Sequence, residues 1–207
     1  MDDVLIARLS AFYDLLARWN QKINLTSLDN PDEAIDRLLL EPVLAARALP
    51  DAAGRELMDV GSGGGSPAIP LALALGSVRL TMVEVKTRKS AFLREAVRQL
   101  GLPGATVENS RYEELLSRPE LLEKFDAVSL RAVRVEPRVL MTLQAFLKPG
   151  GQILLFRGPA GAASPANVFH PLEWESTVPL VESLQSRLSL LRKRSSGAGV
   201  PRGTLLT

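Results

Sequence analysis

The chain has 207 residues, no cysteine, one histidine and a formal net charge of +2. This length accommodates one large α/β domain with its own hydrophobic core. The lack of cysteine excludes disulfides, thiolate metal sites and a cysteine nucleophile, and one histidine excludes a cluster of imidazole ligands for zinc, so we expect no metal.

Charge is distributed unevenly along the chain. Residues 131–207 carry ten Lys or Arg and only four Glu, so the acidic excess lies in residues 1–130. A basic half indicates contact with a polyanion, although a solvated charged face needs no partner, and both interpretations stay open. No apolar run reaches the length of a membrane span, and the acidic amino terminus lacks a small-residue cleavage site. We therefore expect a cytoplasmic protein without a membrane partner.

The first predicted element is an amphipathic helix near residues 3–22. Its apolar residues recur at three- and four-residue spacing, namely Leu5, Leu9, Phe12, Leu16, Trp19 and Ile23. We interpret Phe12 and Trp19 as core contacts rather than as base-stacking groups.

A second helix is predicted to begin at Asn30, which caps it ahead of Pro31. It runs towards Leu49 with a bend at Pro42, because proline lacks the N–H that a helix interior requires. Together the two helices form a predicted N-terminal extension, residues 1–54, packed on the main domain.

From residue 55 the predicted elements alternate between strand and helix. Predicted strands cover residues 56–60, 78–84, 104–108, 125–130 and 151–157, and predicted helices cover 88–100, 111–122 and 134–147. Alternation of this kind is typical of an α/β fold with a doubly wound, mostly parallel, Rossmann-like sheet. Two further strands near 172–180 and 186–194 would close the sheet as a hairpin. We assign 55–194 to this domain and 195–207 to a flexible tail.

The most informative segment, ELMDVGSGGGSPAIPLALAL, spans residues 56–75. An apolar strand leads through Asp59 to Gly61, Gly63, Gly64 and Gly65, and a helical stretch follows. Glycines allow a tight turn and the close approach of a ligand to the backbone, as in nucleotide-binding βαβ units. Glu84 follows Gly61 by 23 positions, at the end of the next strand. There a carboxylate can accept hydrogen bonds from both hydroxyls of a ribose.

The form of the glycine turn bears on which nucleotide it binds. The NAD signature places its third glycine inside the helix, whereas Pro67 and Pro70 occupy that region here. An acid two residues before the first glycine resembles motif I of S-adenosylmethionine-dependent methyltransferases. The motif therefore favours a methyl donor over a hydride carrier.

Six segments of the chain occur in one order that is similar to a known family. They are WNQKINLTS at 19–27, DVGSGGGSPAIPLALA at 59–74, EVKTRKSAFL at 84–93, SRYEEL at 110–115, LRAV at 130–133 and LLFRG at 154–158. In this order they resemble the bacterial glucose-inhibited division protein B family, the 16S ribosomal RNA guanine-N7 methyltransferases. The resemblance implies a seven-stranded class I methyltransferase sheet and S-adenosylmethionine as cofactor. It also implies a methyl acceptor in 16S ribosomal RNA, either free or in a small-subunit particle.

The resemblance also implies roles for particular residues. The glycine turn and its neighbour would hold the cofactor, and the residues concerned are Gly61, Gly63, Gly65 and Ser66. Glu84 matches the ribose-binding acid, and Tyr112 with Glu113 matches the pair that flanks the adenine. Arg131 matches an arginine beside the site of methyl transfer, where it would contact cofactor and acceptor.

Several positions depart from the family pattern. The usual GFPGIP reads GSPAIP, with Ser66 and Ala68, and the lysine expected near the end of the fifth strand is Arg157. In the second helix the family carries R-H-x-x-D-S, and this chain has Arg37, Leu38, Glu41 and Pro42 at those places. The departures leave open a relative with another target nucleotide, or one that binds without turnover.

The residues themselves restrict the type of methyl acceptor. The C5 position of a pyrimidine requires attack by a cysteine, and the chain has none. Exocyclic amine methylation typically uses N/D-P-P-F/Y after strand 4, where this chain reads S-L-R-A-V. N7 of guanine already presents a lone pair and needs no general base. Arg131 can donate two parallel hydrogen bonds to a guanine edge or a phosphate, and its alternative role is a salt bridge to Glu113 or Glu84.

A basic surface is predicted around the pocket mouth. Its expected members are Arg131, Arg134, Arg138 and Arg157, with Lys86, Arg88 and Lys89 at the same sheet edge. The run from Arg192 to Arg194 has two equal interpretations, RNA contact and protection of an edge strand against aggregation.

We expect a monomer. A small-molecule methyltransferase and a binding protein without turnover remain the competing functions.

Overall fold

A computed structural model describes residues 2–27, 30–49, 53–131, 135–159 and 169–195. Seven strands of these residues form one sheet in the order β3-β2-β1-β4-β5-β7-β6. They are β1 (Glu56–Val60), β2 (Arg79–Val83), β3 (Ala105–Glu108), β4 (Phe125–Arg131), β5 (Leu147–Arg157), β6 (Leu172–Pro179) and β7 (Arg187–Lys193). The first five are parallel, and β7 runs antiparallel to β5 and β6. The predicted doubly wound sheet and its closing hairpin are confirmed.

Helices cover both faces of this sheet. They are α1 (Asp3–Ile23), α2 (Pro31–Ile35), α3 (Glu41–Ala45), α4 (Ala68–Leu75), α5 (Thr87–Gln99) and α6 (Pro137–Leu143). The carboxylate of Asp2 caps α1 by accepting a hydrogen bond from the amide of Leu5 at 2.7 Å. The predicted boundaries of α1 and α5 therefore agree with the structure to within one residue.

The amino-terminal helix shares a core with the main sheet. Phe12 and Leu16 of α1 are fully buried in the same cluster as Ile69 of α4 and Phe92 of α5. Trp19 packs edge-on against Phe92, with ring centroids 5.7 Å apart. Phe12 and Trp19 are core contacts, as their helical spacing predicts.

The second predicted helix is a composite of several helical segments, and we call residues 31–48 the bent helix. After α2 the backbone changes to a π-helical segment, Asp36–Leu40, before α3 and a 3-10 turn at Ala46–Ala48. The helix is therefore interrupted just before Pro42 by a local widening, where the sequence predicted a bend.

Two other helix predictions need correction. The predicted helix 111–122 is instead a pair of 3-10 turns, Glu114–Ser117 and Pro119–Leu121. Pro119 has no amide hydrogen, and Arg118 before it is extended, as residues before proline tend to be. The predicted helix 134–147 starts only at Pro137, and Arg134 lies outside the described residues.

Strand direction gives the sheet two chemically different edges. The parallel strands β1, β2 and β4 end side by side, because Val60 pairs with Val83 on one side and with Leu130 on the other. We call the side of the sheet where the parallel strands end the carboxyl edge, and the side where they begin the amino edge. Since β7 runs antiparallel, it begins at the carboxyl edge and ends at the amino edge.

Candidate active site at the carboxyl edge

The glycine turn lies at the end of β1 and is tied to the end of β2. The amides of Gly61 and Ser62 donate to the carbonyl of Val83, at 2.9 and 3.1 Å. Gly61 has φ of +76°, and a Cβ added there would meet no atom within 4 Å. The backbone therefore requires glycine at this position, and open space lies where a side chain would project.

Glu84 holds the same turn from the other strand. Its residue is 6% exposed, and Oε2 accepts from the amide of Gly63 at 2.9 Å while Oε1 accepts from the amide of Lys86 at 2.8 Å. These two bonds fix the orientation of the carboxylate. An ionised carboxylate has about four acceptor positions, so each oxygen can also accept a hydroxyl of a bound ligand.

Asp59, the last residue but one of β1, carries a buried polar atom with unused bonding capacity. Its Oδ1 accepts from the hydroxyl of Ser129, whereas Oδ2 has no hydrogen-bond partner among the described residues. Burial raises the pKa of Asp59, and the hydrogen bond from Ser129 opposes that shift. A positively charged ligand group beside Oδ2 would supply the missing partner, which fits the ammonium group of a methionine moiety.

The last glycine of the turn faces the core. A Cβ on Gly65 would lie 2.8 Å from Ile69 Cδ1 and 3.2 Å from Phe12 Cε2. Gly64 has a similar position, since a Cβ there would lie 3.2 Å from Leu16 Cδ1. These two glycines allow α1 to approach the turn, so their requirement is explained by packing. A side chain on Gly65 would therefore project into the core.

The residues after β3 continue the crevice. Asn109 donates to the carbonyl of Glu84 at 2.9 Å and so joins the ends of β2 and β3. Tyr112 packs on a second cluster of buried apolar residues, separate from the cluster that contains α1. Burial, together with a hydrogen bond to Glu113, raises the pKa of Tyr112. The hydroxyl of Ser110 is buried and unpartnered within the region that the structure describes. It is therefore available to a ligand lying beside Tyr112.

Sequence reasoning did not list Ser110 or Asp59 as site residues. The signal was available, because each lies at the carboxyl end of a parallel strand, where ligands bind in open α/β sheets. The residues that it did list are spread along the same edge, from the glycine turn through Glu84 to Tyr112 and Glu113.

Arg131 has a different partner from those that the sequence analysis considered. Its Nη2 lies 3.0 Å from Oε2 of Glu41, an ion pair that is not a well-aligned hydrogen bond. The guanidinium carbon also lies 4.9 Å from the ring centre of Phe156. The predicted salt bridge to Glu113 or Glu84 is wrong. Arg131 points to the face of the sheet covered by the bent helix, whereas Glu84 is turned towards the glycine turn.

Ser66 lies between the glycine turn and the bent helix. Its hydroxyl donates to the carbonyl of Leu38 at 2.7 Å and accepts from Nη1 of Arg131 at 3.2 Å. Both sides of the hydroxyl are therefore occupied by protein groups. The structure joins Ser66 to Arg131, while the sequence analysis treated them as separate members of the site.

The predicted basic surface is only partly assembled. Lys86 and Arg88 are exposed after β2, and Lys89 donates to the carbonyl of Leu25 at 3.4 Å. Arg157 lies opposite Arg187 at the carboxyl edge, and Arg138 pairs with its neighbour Glu136. The same edge therefore carries cations from β2 and from β5.

The run from Arg192 to Arg194 lies at the amino edge, away from this site. Each member pairs with an acid: Arg192 with Glu175 at 2.5 Å, Lys193 with Glu123 at 2.8 Å and Arg194 with Glu173 at 2.8 Å. The basic half of the sequence is therefore divided between two edges, because β7 crosses the sheet from one edge to the other. The interpretation as protection of an edge strand is wrong, because β7 lies between β5 and β6 in the sheet. The ion pairs instead give the three residues a structural role.

Two further properties concern the described ranges. No helix in them is both long and apolar enough to cross a membrane. No three His, Cys, Asp or Glu side chains in them come together in a group that could hold a metal ion.

Comparison with known proteins adds a family. Residues 5–175 match the family model described as rRNA small subunit methyltransferase G. The chain is similar to ribosomal RNA small subunit methyltransferase G of Stenotrophomonas maltophilia, with 37% identity over 76% of this chain and 71% of that protein. The protein of the same name from Nitrosomonas europaea is 41% identical over 62% of this chain and 56% of that protein.

Solved structures support the fold. A SAM-dependent methyltransferase from Aquifex aeolicus superimposes with a TM-score of 0.60 at 15% identity, covering 80% of this chain and 94% of that one. A mutant of MtNAS in complex with S-adenosylmethionine also gives a TM-score of 0.60, at 16% identity, covering 92% of this chain and 77% of that one. At these identities the likeness concerns the arrangement of strands and helices.

Proposed function

The chain belongs to the rRNA small subunit methyltransferase G family, and from this premise we propose that it methylates N7 of a guanine in 16S ribosomal RNA. It is an S-adenosylmethionine-dependent methyltransferase. The observation that carries the proposal is the carboxyl edge, where Glu84 fixes an open glycine turn beside Asp59 and Ser110, two buried polar groups with unused bonding capacity.

We propose that the cofactor lies along this edge. Glu84 would hold the ribose hydroxyls, and the open side of Gly61, next to Gly63, would admit the methionine end near Asp59. Tyr112, Glu113 and Ser110 would surround the adenine. Gly65 and Ser66 would act indirectly, by holding the turn against the helices. When bound, S-adenosylmethionine supplies an electrophilic methyl carbon on a sulfonium.

The acceptor proposal is supported by the state of the acidic groups around the crevice. Glu41 is paired with Arg131, Glu84 is occupied by two backbone amides, and Oδ1 of Asp59 accepts from Ser129. His170 precedes β6, whose first residue lies at the amino edge. With these carboxylates engaged and the histidine at the other edge, the site suits N7 of guanine, because N7 has a free lone pair and loses no proton on methylation. The protein's task is then to align donor and acceptor.

We further propose that Arg131 borders the acceptor guanine. It ends β4 next to the glycine turn, and its side chain retains 15% of its exposure. The exposed cations Lys86 and Arg88, with Arg157 and Arg187, would contact RNA phosphates at the same edge. Binding should then weaken steeply as salt rises, because phosphate contacts release counterions.

The remaining proposals concern the domain organisation of the chain, its oligomeric state and where it acts. Residues 1–54 would serve as a helical extension that closes the glycine turn, 55–194 as the catalytic domain and 195–207 as a tail. We propose that the protein acts as a monomer in the cytoplasm, on 16S ribosomal RNA or a small-subunit particle.

The test is methyl transfer to RNA from cells that lack this gene. Purified protein with labelled S-adenosylmethionine should label one guanine in naked 16S RNA or in the small subunit, and mapping should locate it at N7. Glu84→Ala should abolish the label, whereas Glu95→Ala, which removes an ion pair with Arg98 on α5, should retain it. Absence of label from every guanine would contradict the proposal.

The same experiment distinguishes the competing functions. Turnover that needs no RNA and is insensitive to salt would indicate a small-molecule acceptor. Tight cofactor binding by calorimetry, without methyl release on any RNA fraction, would indicate a binding protein.

A further inference from the structure

The starting point is a proline inside the bent helix. Pro42 has no amide hydrogen, so it cannot donate to the carbonyl of Leu38, its α-helical partner, or to that of Arg37, its π-helical partner. The amide of Glu41 donates five residues back, to Asp36. Neither the carbonyl of Arg37 nor that of Leu38 can therefore receive a hydrogen bond from residue 42.

Side chains from the carboxyl edge supply those donors. The hydroxyl of Ser66 donates to the carbonyl of Leu38 at 2.7 Å, and Nη1 of Arg131 donates to the carbonyl of Arg37 at 2.6 Å. Ser66 and Arg131 also contact each other, at 3.2 Å. Helix carbonyls that lack a backbone donor are satisfied by other groups, so the break in the helix and the two side-chain donors are complementary.

Glu41 completes this arrangement from inside the helix. Its residue is 6% exposed, and its carboxylate lies 3.0 Å from Nη2 of Arg131. A carboxylate is rarely buried unless it is paired, and here the partner is the same guanidinium that caps the helix carbonyl. The acid and the carbonyl thus contact different nitrogens of one rigid plane, and the ring of Phe156 lies beside that plane.

The guanidinium is consequently restrained from several directions. Burial lowers the pKa of Arg131 to about 10, while the charges of Glu41 and Asp59 oppose that shift. An unrestrained arginine at a surface edge would sample many rotamers, and ordering it on substrate binding would cost conformational entropy. An arginine already held in place avoids that cost.

We propose that Glu41 is a positioning residue for methyl transfer, which fixes the Arg131 guanidinium at the end of β4 and couples the bent helix to the glycine turn through Ser66. This inference rests on the proposed function, because it assigns Glu41 an effect on the acceptor side of that reaction. Glu41 itself contacts neither cofactor nor acceptor and acts only through Arg131.

The decisive variant is Glu41→Gln, which keeps the shape of the side chain and removes its charge. It should lower kcat for RNA methylation by about tenfold or more, because misorientation of a positioning group is costly. Cofactor affinity should stay within about twofold, because Glu41 contacts Arg131 and does not contact the proposed cofactor pocket. Glu41→Asp, which keeps the charge, should recover most of kcat. The matched control is Glu33→Gln on the same bent helix, where Glu33 pairs with Arg37 on the exposed side at 2.9 Å, and it should have wild-type kcat.

A second measurement needs no activity. In nitrogen-15 NMR spectra the Nη resonances of Arg131 should be separate in the wild type, because Glu41 and the helix carbonyl hinder rotation of the guanidinium. Glu41→Gln should merge them, and Glu33→Gln should not. If the wild type methylates no RNA, the proposed function fails, and these resonances still decide whether Glu41 holds Arg131. Unchanged resonances in Glu41→Gln, or kcat within twofold of the wild type in an active enzyme, would overturn the inference.

Discussion

The amino and carboxyl edges of the sheet treat charged groups differently. At the amino edge Lys148 pairs with Asp126 at 2.8 Å, and Lys193 pairs with Glu123 at the same distance. At the carboxyl edge Glu84 bonds only to backbone amides, and Asp59 keeps one buried oxygen without a partner within the described ranges. Parallel strands bring backbone ends together at both edges, but among the described residues the buried unpartnered oxygens of Asp59 and Ser110 both lie at the carboxyl edge. Satisfied groups contribute to stability, whereas unsatisfied groups indicate a binding site.

The largest expected difference between the edges is in cofactor affinity, when one glycine of each edge is replaced by alanine. Gly61→Ala and Gly76→Ala share a positive φ, +76° and +78°, and in both a Cβ would meet no atom within 4 Å. Alanine should therefore be strained at both positions, and the melting curves measure the two costs separately. Only Gly61 faces the crevice, so only Gly61→Ala should weaken S-adenosylmethionine binding, by about 100-fold or more, or roughly 3 kcal/mol. Calorimetry with melting curves checks this, and equal affinities in the two variants would place the cofactor elsewhere.

The second prediction removes a buried cation from the amino edge. Nζ of Lys193 donates to the carbonyls of Gln144 and Leu147, at 3.0 and 2.9 Å, as well as to Glu123. Lys193→Met should lower the free energy of unfolding by about 2–3 kcal/mol, because it leaves carbonyls without donors. Cofactor affinity should remain within twofold. Urea denaturation and calorimetry measure the two quantities, and a parallel loss of affinity would show that the edges are coupled.

The third prediction is a variant that should raise the free energy of unfolding, whereas Lys193→Met should lower it. Asp59→Asn replaces a carboxyl whose pKa burial raises by a neutral amide of similar shape. The variant should be more stable than the wild type at pH 7, by roughly 1 kcal/mol, and should bind cofactor more weakly.

The pH dependence of that difference follows from the direction of the pKa shift. An acid with a raised folded pKa contributes stability below its unfolded pKa of about 4, and this contribution is lost as pH rises through the folded value. The wild type should therefore lose stability relative to Asp59→Asn between acid and neutral pH. Thermal melting over this range tests it, and a difference independent of pH would mean that Asp59 titrates normally.

The smallest effect is expected at an exposed pair of the amino edge. Arg194 lies 2.8 Å from Glu173, and the two side chains are 60% and 44% exposed. Arg194→Gln should change the free energy of unfolding by less than about 1 kcal/mol and should leave methylation unaltered. Reduced RNA affinity in this variant, measured by filter binding at low salt, would return the Arg192–Arg194 run to the RNA surface.

Local pattern was sufficient for much of this molecule. Periodicity predicted α1, alternation of strands and helices predicted the sheet, and the glycine spacing with Glu84 predicted that the turn after β1 and the end of β2 lie together. The signals for individual helices, strands and turns depend on near neighbours in the chain, so the amino-acid sequence alone reveals them. Where local signals compete, as at Pro119 within an otherwise helical stretch, the prediction of a helix at 111–122 was wrong.

Only the tertiary structure decided which distant groups meet. Glu41 and Arg131 are ninety positions apart, and their contact depends on the packing of the bent helix against the end of β4. The inward face of Gly65 depends on the approach of Phe12, and the division of the basic half between two edges depends on the direction of β7. Each is a long-range pairing, and a side chain's partner is set by the geometry of packed elements rather than by its neighbours in the chain.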